Sequence, residues 1–284
     1  MVNWHIVEDF DVTLDRYARY LRDQGFMESS IKRYCQFLRD FLKFTHTSHP
    51  NTEQANEFRS HLMDIRYAPS TVNNACFALG NFYKMHEEKW KYPILPVHNA
   101  IPHYFTDDEV RRIFEAASSN IKHLAIFQTM FYGCLRATEV CMLEDKDIDL
   151  KNLSIHVRHG KGDKEGIVCI TPQCAATLRK YLDIRPPCVI DGKQYLFYTD
   201  KGNCFDHIAL HRIFTYIKKR AGVNSLGSLH VFGRHTPATV LIAHGADIRV
   251  VQTIMRHCNI RTTIRYAHVS DTTKRTMYNK FLTV

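Results

Sequence analysis

The sequence predicts a mainly α-helical protein of two domains: a small N-terminal four-helix bundle and a larger, mostly helical domain that carries a small antiparallel β-sheet. Three observations predict it. Amphipathic segments of helical period follow one another through the first hundred residues. A stretch with three prolines and no period, KYPILPVHNAIPHY (91–104), interrupts them, and past it the helical pattern resumes around a single β-rich interlude. At 284 residues and 45% hydrophobic content, the chain is long enough to bury more than one core.

In LDRYARYLRDQGF, Leu14, Tyr17 and Leu21 form one apolar stripe. In SSIKRYCQFLRDFLKF, Ile31, Tyr34, Leu38, Phe41 and Leu42 form another behind a serine cap. TEQANEFRSHLMDI opens at Thr52, and STVNNACFALGNFYKMHEE opens at Ser70 and repeats Val72, Cys76, Leu79, Phe82 and Tyr83. Four such helices close into a bundle. The first domain is therefore set at 1–92, a linker at 93–104 and the second domain at 105–284.

The second domain starts with TDDEVRRIFEAA, whose Thr106 and Glu109 have capping-box spacing. LSIHVRHGKGDKEGIVCIT (153–171) is β-rich on both sides of Gly-Lys-Gly-Asp-Lys, which predicts a hairpin with an exposed basic tip. Helices follow from Thr171-Pro172, in DHIALHRIFTYIKKR, in TPATVLIAHG closed by Gly245, in DIRVVQTIMRH, and finally in DTTKRTMYNKFL from Asp271.

Charge is unevenly spread. The formal net charge is +9, yet residues 1–99 hold 12 basic and 12 acidic side chains, leaving 26 against 17 for the remainder. A basic second domain attracts a polyanion by releasing its counterions, and nucleic acid is the commonest such partner; solubility alone is the competing explanation. Nine cysteines, an odd number with no C-x-x-C pair, point to free thiols in a reducing compartment. MVNWHIVEDFDV has acids where a signal peptide needs a basic and then an apolar run, and LAIFQTMFYGCL (124–135) is too short to span a bilayer. A soluble, cytoplasmic protein with no membrane partner is expected.

Four separated pieces of the second domain carry groups suited to a phosphodiester. In GCLRATEV, Arg136 opens a helix after Gly133 with Glu139 three residues on; a guanidinium at a helix start suits an oxyanion, though Arg–Glu pairs at this spacing are usually structural. The hairpin tip holds Lys161 and Lys164, either a proton donor lowered into a groove or a hydrated polar turn. LHVFGRHTPATVL holds His230, Arg234 and His235, either a site or a helix start with a structural histidine. IMRHCNIRTTIRYAHVSD holds His257, Arg261, Arg265, Tyr266 and His268, and Tyr266 is one of 14 tyrosines, most of which belong to core or surface. No carboxylate or thiol is grouped with the histidines at ligand spacing, so no metal site is expected.

Taken together, GCLRATEVCMLEDKDIDL, HGKGDKEGIV and GRHTPATVLIAHGADIRVVQTIMRHCNIRTTIRYAHV resemble the tyrosine recombinases, the phage-integrase and Xer-type site-specific recombinases, and the resemblance covers nearly the whole chain. It implies a SAM-like, DNA-binding core-binding bundle for the first domain and the catalytic domain for the second. It implies Tyr266 as nucleophile, giving a 3′-phosphotyrosine and a free 5′-hydroxyl. Arg136 and Arg234 would grip the scissile phosphate, Lys161 would be the general acid with Lys164 the less favoured candidate, His257 would position the phosphate, and His230 would help move the tyrosine's proton. The DNA-binding set is Lys161, Lys164, Arg136 and Arg234.

The same resemblance implies a cofactor-free and metal-free reaction on double-stranded DNA at specific recombination sites. The two domains would close on the duplex from opposite sides. The chain would be a homo-tetramer on DNA and a monomer away from it, its C-terminal tail docked on a neighbour or on its own domain.

One departure stands out: the family spaces its third motif H-x-x-R, whereas HVFGRHT places Gly233 between Phe232 and Arg234. The glycine either lets the backbone bulge and keeps both side chains in place, or displaces one of them. Two other readings stay open, a topoisomerase-like enzyme that relaxes strands as a monomer and a DNA-binding relative that has lost cleavage.

Overall fold

The computed structural model describes residues 4–97, 103–158, 165–267, 278–279 and 282. The chain divides into two compact units, Met1–Asn99 and Ala100–Val284.

The first unit is built from α1 (Trp4–Asp23), α2 (Glu28–Thr45), α3 (Thr52–Asp64) and α4 (Pro69–Met85). The predicted stripes are its core: Leu14, Tyr17, Leu21, Leu38, Phe41, Leu42, Val72, Leu79 and Phe82 are all buried. One expected detail is wrong. α2 has no serine cap, because its N-cap is Met27, which offers no side-chain hydrogen bond, and Glu28 supplies the acidic first turn instead. α3 is capped reciprocally by Asn51 and Gln54, and α4 starts on Pro69, whose missing N–H costs nothing in the first turn. The buried tyrosine hydroxyls are satisfied locally, Tyr17 donating to the Ala78 carbonyl (2.6 Å) and Tyr83 to that of Asn51 (2.6 Å). The first residues of the expected linker are held on the bundle, since Asn73 and the Leu95 backbone exchange two hydrogen bonds of 2.9 Å.

The second unit begins with α5 (Asp107–Ala117), whose Thr106–Glu109 capping box is formed, and α6 (Ile121–Tyr132), whose middle stretch from Ala125 to Met130 is buried. α7 (Ala137–Cys141) follows. Three short antiparallel strands come next, β1 (Ile148–Asp149), β2 (Ser154–Val157) and β3 (Gly166–Cys169), in the order β1-β2-β3 with Ile155 opposite Val168. The expected hairpin is thus β2–β3; its tip, with Lys161 and Lys164, lies outside the described residues. α8 (Pro172–Ile184) is capped by Thr171, and α9 (His207–Arg220) by Asp206. A two-stranded ribbon, β4 (Val189–Ile190) with β5 (Lys193–Gln194), lies between them in sequence. α10 (Thr236–Ala243), α11 (Ile248–Ile254) and α12 (Ile260–Ile264) complete the described helices of this unit apart from residues 278–279, and the expected helix from Asp271 falls almost wholly outside the described residues.

Phe232 is the hub of this unit. Its ring meets those of Phe105, Phe114, Phe127, Phe131 and Phe214 at centroid separations between 5.1 and 6.2 Å. Such pairs add about 0.5–1.5 kcal/mol each beyond the area they bury, so the segment next to Phe232 is fixed by the core. That segment, Val231–His235, is a π-helical turn closed by the Thr236 N–H on the Val231 carbonyl. All nine cysteines are unbridged, and no described helix is long and apolar enough to cross a membrane.

Candidate active site

The site assembles where the end of α6, the π turn, the end of α11 and the segment after α12 meet around a small apolar cluster of Cys134, Ala238, Val251, Met255 and Tyr266. Arg136 stands at the N-cap of α7. Glu139 reaches back to it with both oxygens, accepting from the Arg136 backbone N–H (2.8 Å) and from Nη1 (2.6 Å). The structural Arg–Glu pair is therefore real, and it also aims the guanidinium. Burial opposes ionisation of Glu139, but the Arg136 N–H and the guanidinium groups of Arg256 and Arg136 outweigh it and hold the carboxyl below the usual range.

Arg234 is 2% exposed, and among the described residues no carboxylate forms an ion pair with it, although Glu139 is near enough to offset part of its charge. Its Nη1 donates to the Cys134 carbonyl and its Nη2 to that of Met255 (2.6 Å). Burial, with Arg136 nearby, lowers its pKa to about 10, so it stays charged at neutral pH. A buried cation whose hydrogen bonds go to carbonyl dipoles is expensive unless further negative charge comes near. With Arg136 close by, the two guanidinium groups have the chemistry to take an oxyanion.

Tyr266 is 8% exposed and sits among imidazoles. The His235 ring stands edge-on to it at 5.5 Å, and the His257 ring stacks on it at 6.4 Å with 16° between planes. Burial raises the phenol's pKa, while Arg234 and Arg265 pull it down. The tyrosine is a neutral phenol that needs a base. His257 is held through Nδ1 by the Thr263 hydroxyl (2.9 Å), and its pKa falls to about 4 through burial and the charges of Arg234 and Arg136. His235 falls likewise to about 4, through burial, His230 and Arg265. Both are neutral imidazoles at physiological pH, able to accept a proton or hydrogen-bond an anion.

His230 packs edge-on to His235 at 5.0 Å, its pKa lowered by burial, Arg234 and Arg136. It also lines, with Arg136, His207, His211 and Arg212, a cavity of about 660 Å³. The extra residue in HVFGRHT is absorbed by the π turn, the helical form of a one-residue insertion. Gly233 suits that turn because a Cβ would come within 2.5 Å of the Met130 side chain, which would have to shift. His230 stays within electrostatic reach of Arg234, but its ring packs on His235, which stands between it and Tyr266.

Five of the six expected catalytic residues, Arg136, His230, Arg234, His257 and Tyr266, are thus brought together, while Lys161, with Lys164, lies outside the described residues. Two participants were given no role on sequence grounds. His235, and not His230, is the imidazole against Tyr266; its position directly after Arg234 was the available signal. Arg256 shares Glu139 with Arg136, and nothing in the helical period marks it. Among the described residues, no group of three or more His, Cys, Asp or Glu side chains is placed to hold a metal ion.

The phage integrase family model matches residues 103–273, and a phage integrase N-terminal SAM-like domain matches residues 13–91. The tyrosine recombinase XerA of Pyrococcus horikoshii is 29% identical over 262 residues, covering 90% of this chain and 89% of that protein. The tyrosine recombinase XerC of Staphylococcus epidermidis is 27% identical over 282 residues, covering 90% and 92%. The crystal structure of an XerA recombinase is similar with a TM-score of 0.58 and 31% identity, covering 97% of this chain and 99% of that one. The Tn1549 transposon integrase, solved in complex with transposon right end DNA, shares the fold with a TM-score of 0.74 at 22% identity, covering 95% and 99%. With three fifths of its length matched by the family model and its likeness running to the Xer tyrosine recombinases, the chain belongs to the phage integrase family.

Proposed function

We propose that this chain is a site-specific DNA recombinase that cuts and rejoins duplex DNA through a 3′-phosphotyrosine at Tyr266. The observation that carries the reading is the pairing of a buried Arg234, whose guanidinium donates to the Cys134 and Met255 carbonyls, with a phenol set between two neutral imidazoles. Arg136 and Arg234 bind the non-bridging oxygens of the scissile phosphate and stabilise the charge that accumulates in its five-coordinate transition state. His257, oriented by Thr263, donates to the same phosphate. Tyr266 Oη attacks phosphorus as its proton leaves to His235 and on toward His230. The bond to the 5′-oxygen breaks, and Lys161 protonates that oxygen.

A phosphotyrosyl ester replaces a phosphodiester at nearly equal bond energy, so attack by a 5′-hydroxyl reverses the step without ATP. Exchange between two sites requires four protomers, and the basic excess of residues 100–284 supplies the attraction for DNA.

The test begins with the duplex that the protein selects from a randomised pool, rebuilt with a nick beside the cleavage position. Incubated without metal and run on a denaturing gel, the wild-type protein forms a covalent protein–DNA band that Tyr266→Phe does not. Tight binding with no band in the wild type would leave a protein that grips DNA without cutting it, and relaxation of supercoils with no exchange between two sites would favour the topoisomerase-like reading.

A further inference from the structure

Arg256 occupies an unusual place. It lies between Met255, whose carbonyl holds Arg234, and His257, and its backbone is left-handed with φ of 51°. L side chains avoid that conformation and glycine adopts it freely. Six other non-glycine residues among those described share this conformation, so it is the contacts of the side chain that set Arg256 apart.

That side chain crosses the root of the hairpin, where a Cβ on Gly166 would stand 3.1 Å from its Cδ. It ends on Glu139, with Nη2 at 2.6 Å from Oε2, while Oε1 takes Arg136 Nη1 at 2.6 Å. One buried carboxylate thus holds two guanidinium groups, and Arg234 is close enough to feel the charge of both. The Nε and Nη1 of Arg256 are buried and have no hydrogen-bond partner among the described residues. An arginine serving only to fill an interior is expected to have its donors matched. Here the contact that is made is the one to the carboxylate that aims Arg136.

We infer that Arg256 is a positioning residue for strand cleavage: by bracing Glu139 at Oε2, the oxygen that also takes the Arg136 backbone N–H, it fixes Oε1 and with it the direction of the Arg136 guanidinium, and ties both to the root of the β2–β3 hairpin. The inference rests on the recombinase reading. Losing the brace keeps the charge of both arginines at the site and lets the Arg136 guanidinium drift. The effect falls on the chemical step and leaves ground-state DNA binding nearly untouched.

The experiment uses the full chain and the nicked duplex rebuilt from the selected pool, with wild type, Arg256→Gly, Arg256→Lys, Arg136→Lys and the Arg256→Gly/Arg136→Lys pair. Affinity for the uncut duplex, the single-turnover rate of covalent adduct formation and the melting temperature are read for each. Arg256→Gly removes the side chain while suiting the left-handed backbone, so its melting temperature is expected to match or exceed that of the wild type. Its affinity should stay within about threefold and its cleavage rate should fall about 30- to 100-fold, as for misplacement by about 1 Å. Arg256→Lys should recover part of the rate.

The double variant should be no slower than Arg136→Lys alone, since both lesions act through one guanidinium. Cleavage by Arg256→Gly at the wild-type rate overturns the inference. So does a loss matched in affinity, a loss explained by a lower melting temperature that lysine does not relieve, or full additivity in the double variant. Absence of any adduct with the wild type overturns the recombinase reading itself and this inference with it.

Discussion

The two units fold by different means. Among the described residues, the first unit buries two polar side chains, Thr13 and Ser48, inside an otherwise apolar bundle. The second buries Glu139, Glu144, Asp147 and Arg234 as well as several hydroxyls. Its ion pairs, such as Arg158 with Asp147 and Arg256 with Glu139, reach into the interior. Buried charges are poor stabilisers, since desolvation offsets most of their attraction. The second unit therefore has a strong aromatic core around Phe232 that offsets a polar site, whereas the first carries no such burden. A helical bundle specified by apolar period tolerates change wherever the period is kept; a site specified by shared carboxylates and carbonyls does not.

That contrast is testable from its largest effect to its smallest. Arg234→Ala should lower the rate of adduct formation about 10²–10³-fold, as for loss of one preorganised donor, measured in single turnover. It should also destabilise the second unit by leaving the Cys134 and Met255 carbonyls unmatched. Leu38→Ala, in a fully buried position of the bundle, should cost about 2–5 kcal/mol in urea denaturation and leave the cleavage rate of the folded fraction unchanged. A cleavage defect there would erase the distinction between the units. Gly233→Ala should cost about 1–3 kcal/mol by overpacking against Met130, again read from the urea midpoint.

The next effect is a pH dependence. His235 and His257 have pKa values of about 4 in the folded protein against an ordinary 6.5, because both are half-buried among cations. The unfolded chain binds more protons between those values, so stability falls as pH drops from 6.5 towards 4 and is level above that window. His235→Gln should flatten the melting-temperature profile in this range. His86 in the bundle is shifted in the same direction by burial, so a residual slope in the variant belongs partly to the first unit. Smallest of all, Asn51→Ala should cost about 1 kcal/mol by removing the cap of α3, with no change in cleavage.

The fold was legible wherever packing follows period. The stripes of α1, α2 and α4, the capping box of α5 and the β2–β3 pairing could all be read because each is a local pattern with one physical cause. The serine cap of α2 was misread because capping depends on where the chain enters the helix, and the turn at Met27 brings it in early. At the site, Arg136, Arg234, His257 and Tyr266 were legible only as a set, by resemblance. Arg136 lies far along the chain from the other three, which belong to separate short segments, and no spacing rule predicts their grouping. His235 against Tyr266 and Arg256 beneath Glu139 were not legible, because the first depends on the winding of a π turn and the second on a left-handed backbone at a residue other than glycine.

The widened turn at Val231–His235 also bears on how chains of this kind drift in length. A helix that takes one extra residue as a π turn grows without breaking, since the surplus backbone is absorbed locally and the ordinary winding resumes beyond it. Here the aromatic hub around Phe232 and the methionine over Gly233 hold that surplus in place. Matching sequences column by column would seek a histidine and find Val231. In space His230 still feels the charge of Arg234, so one surplus residue in the turn need not part the two.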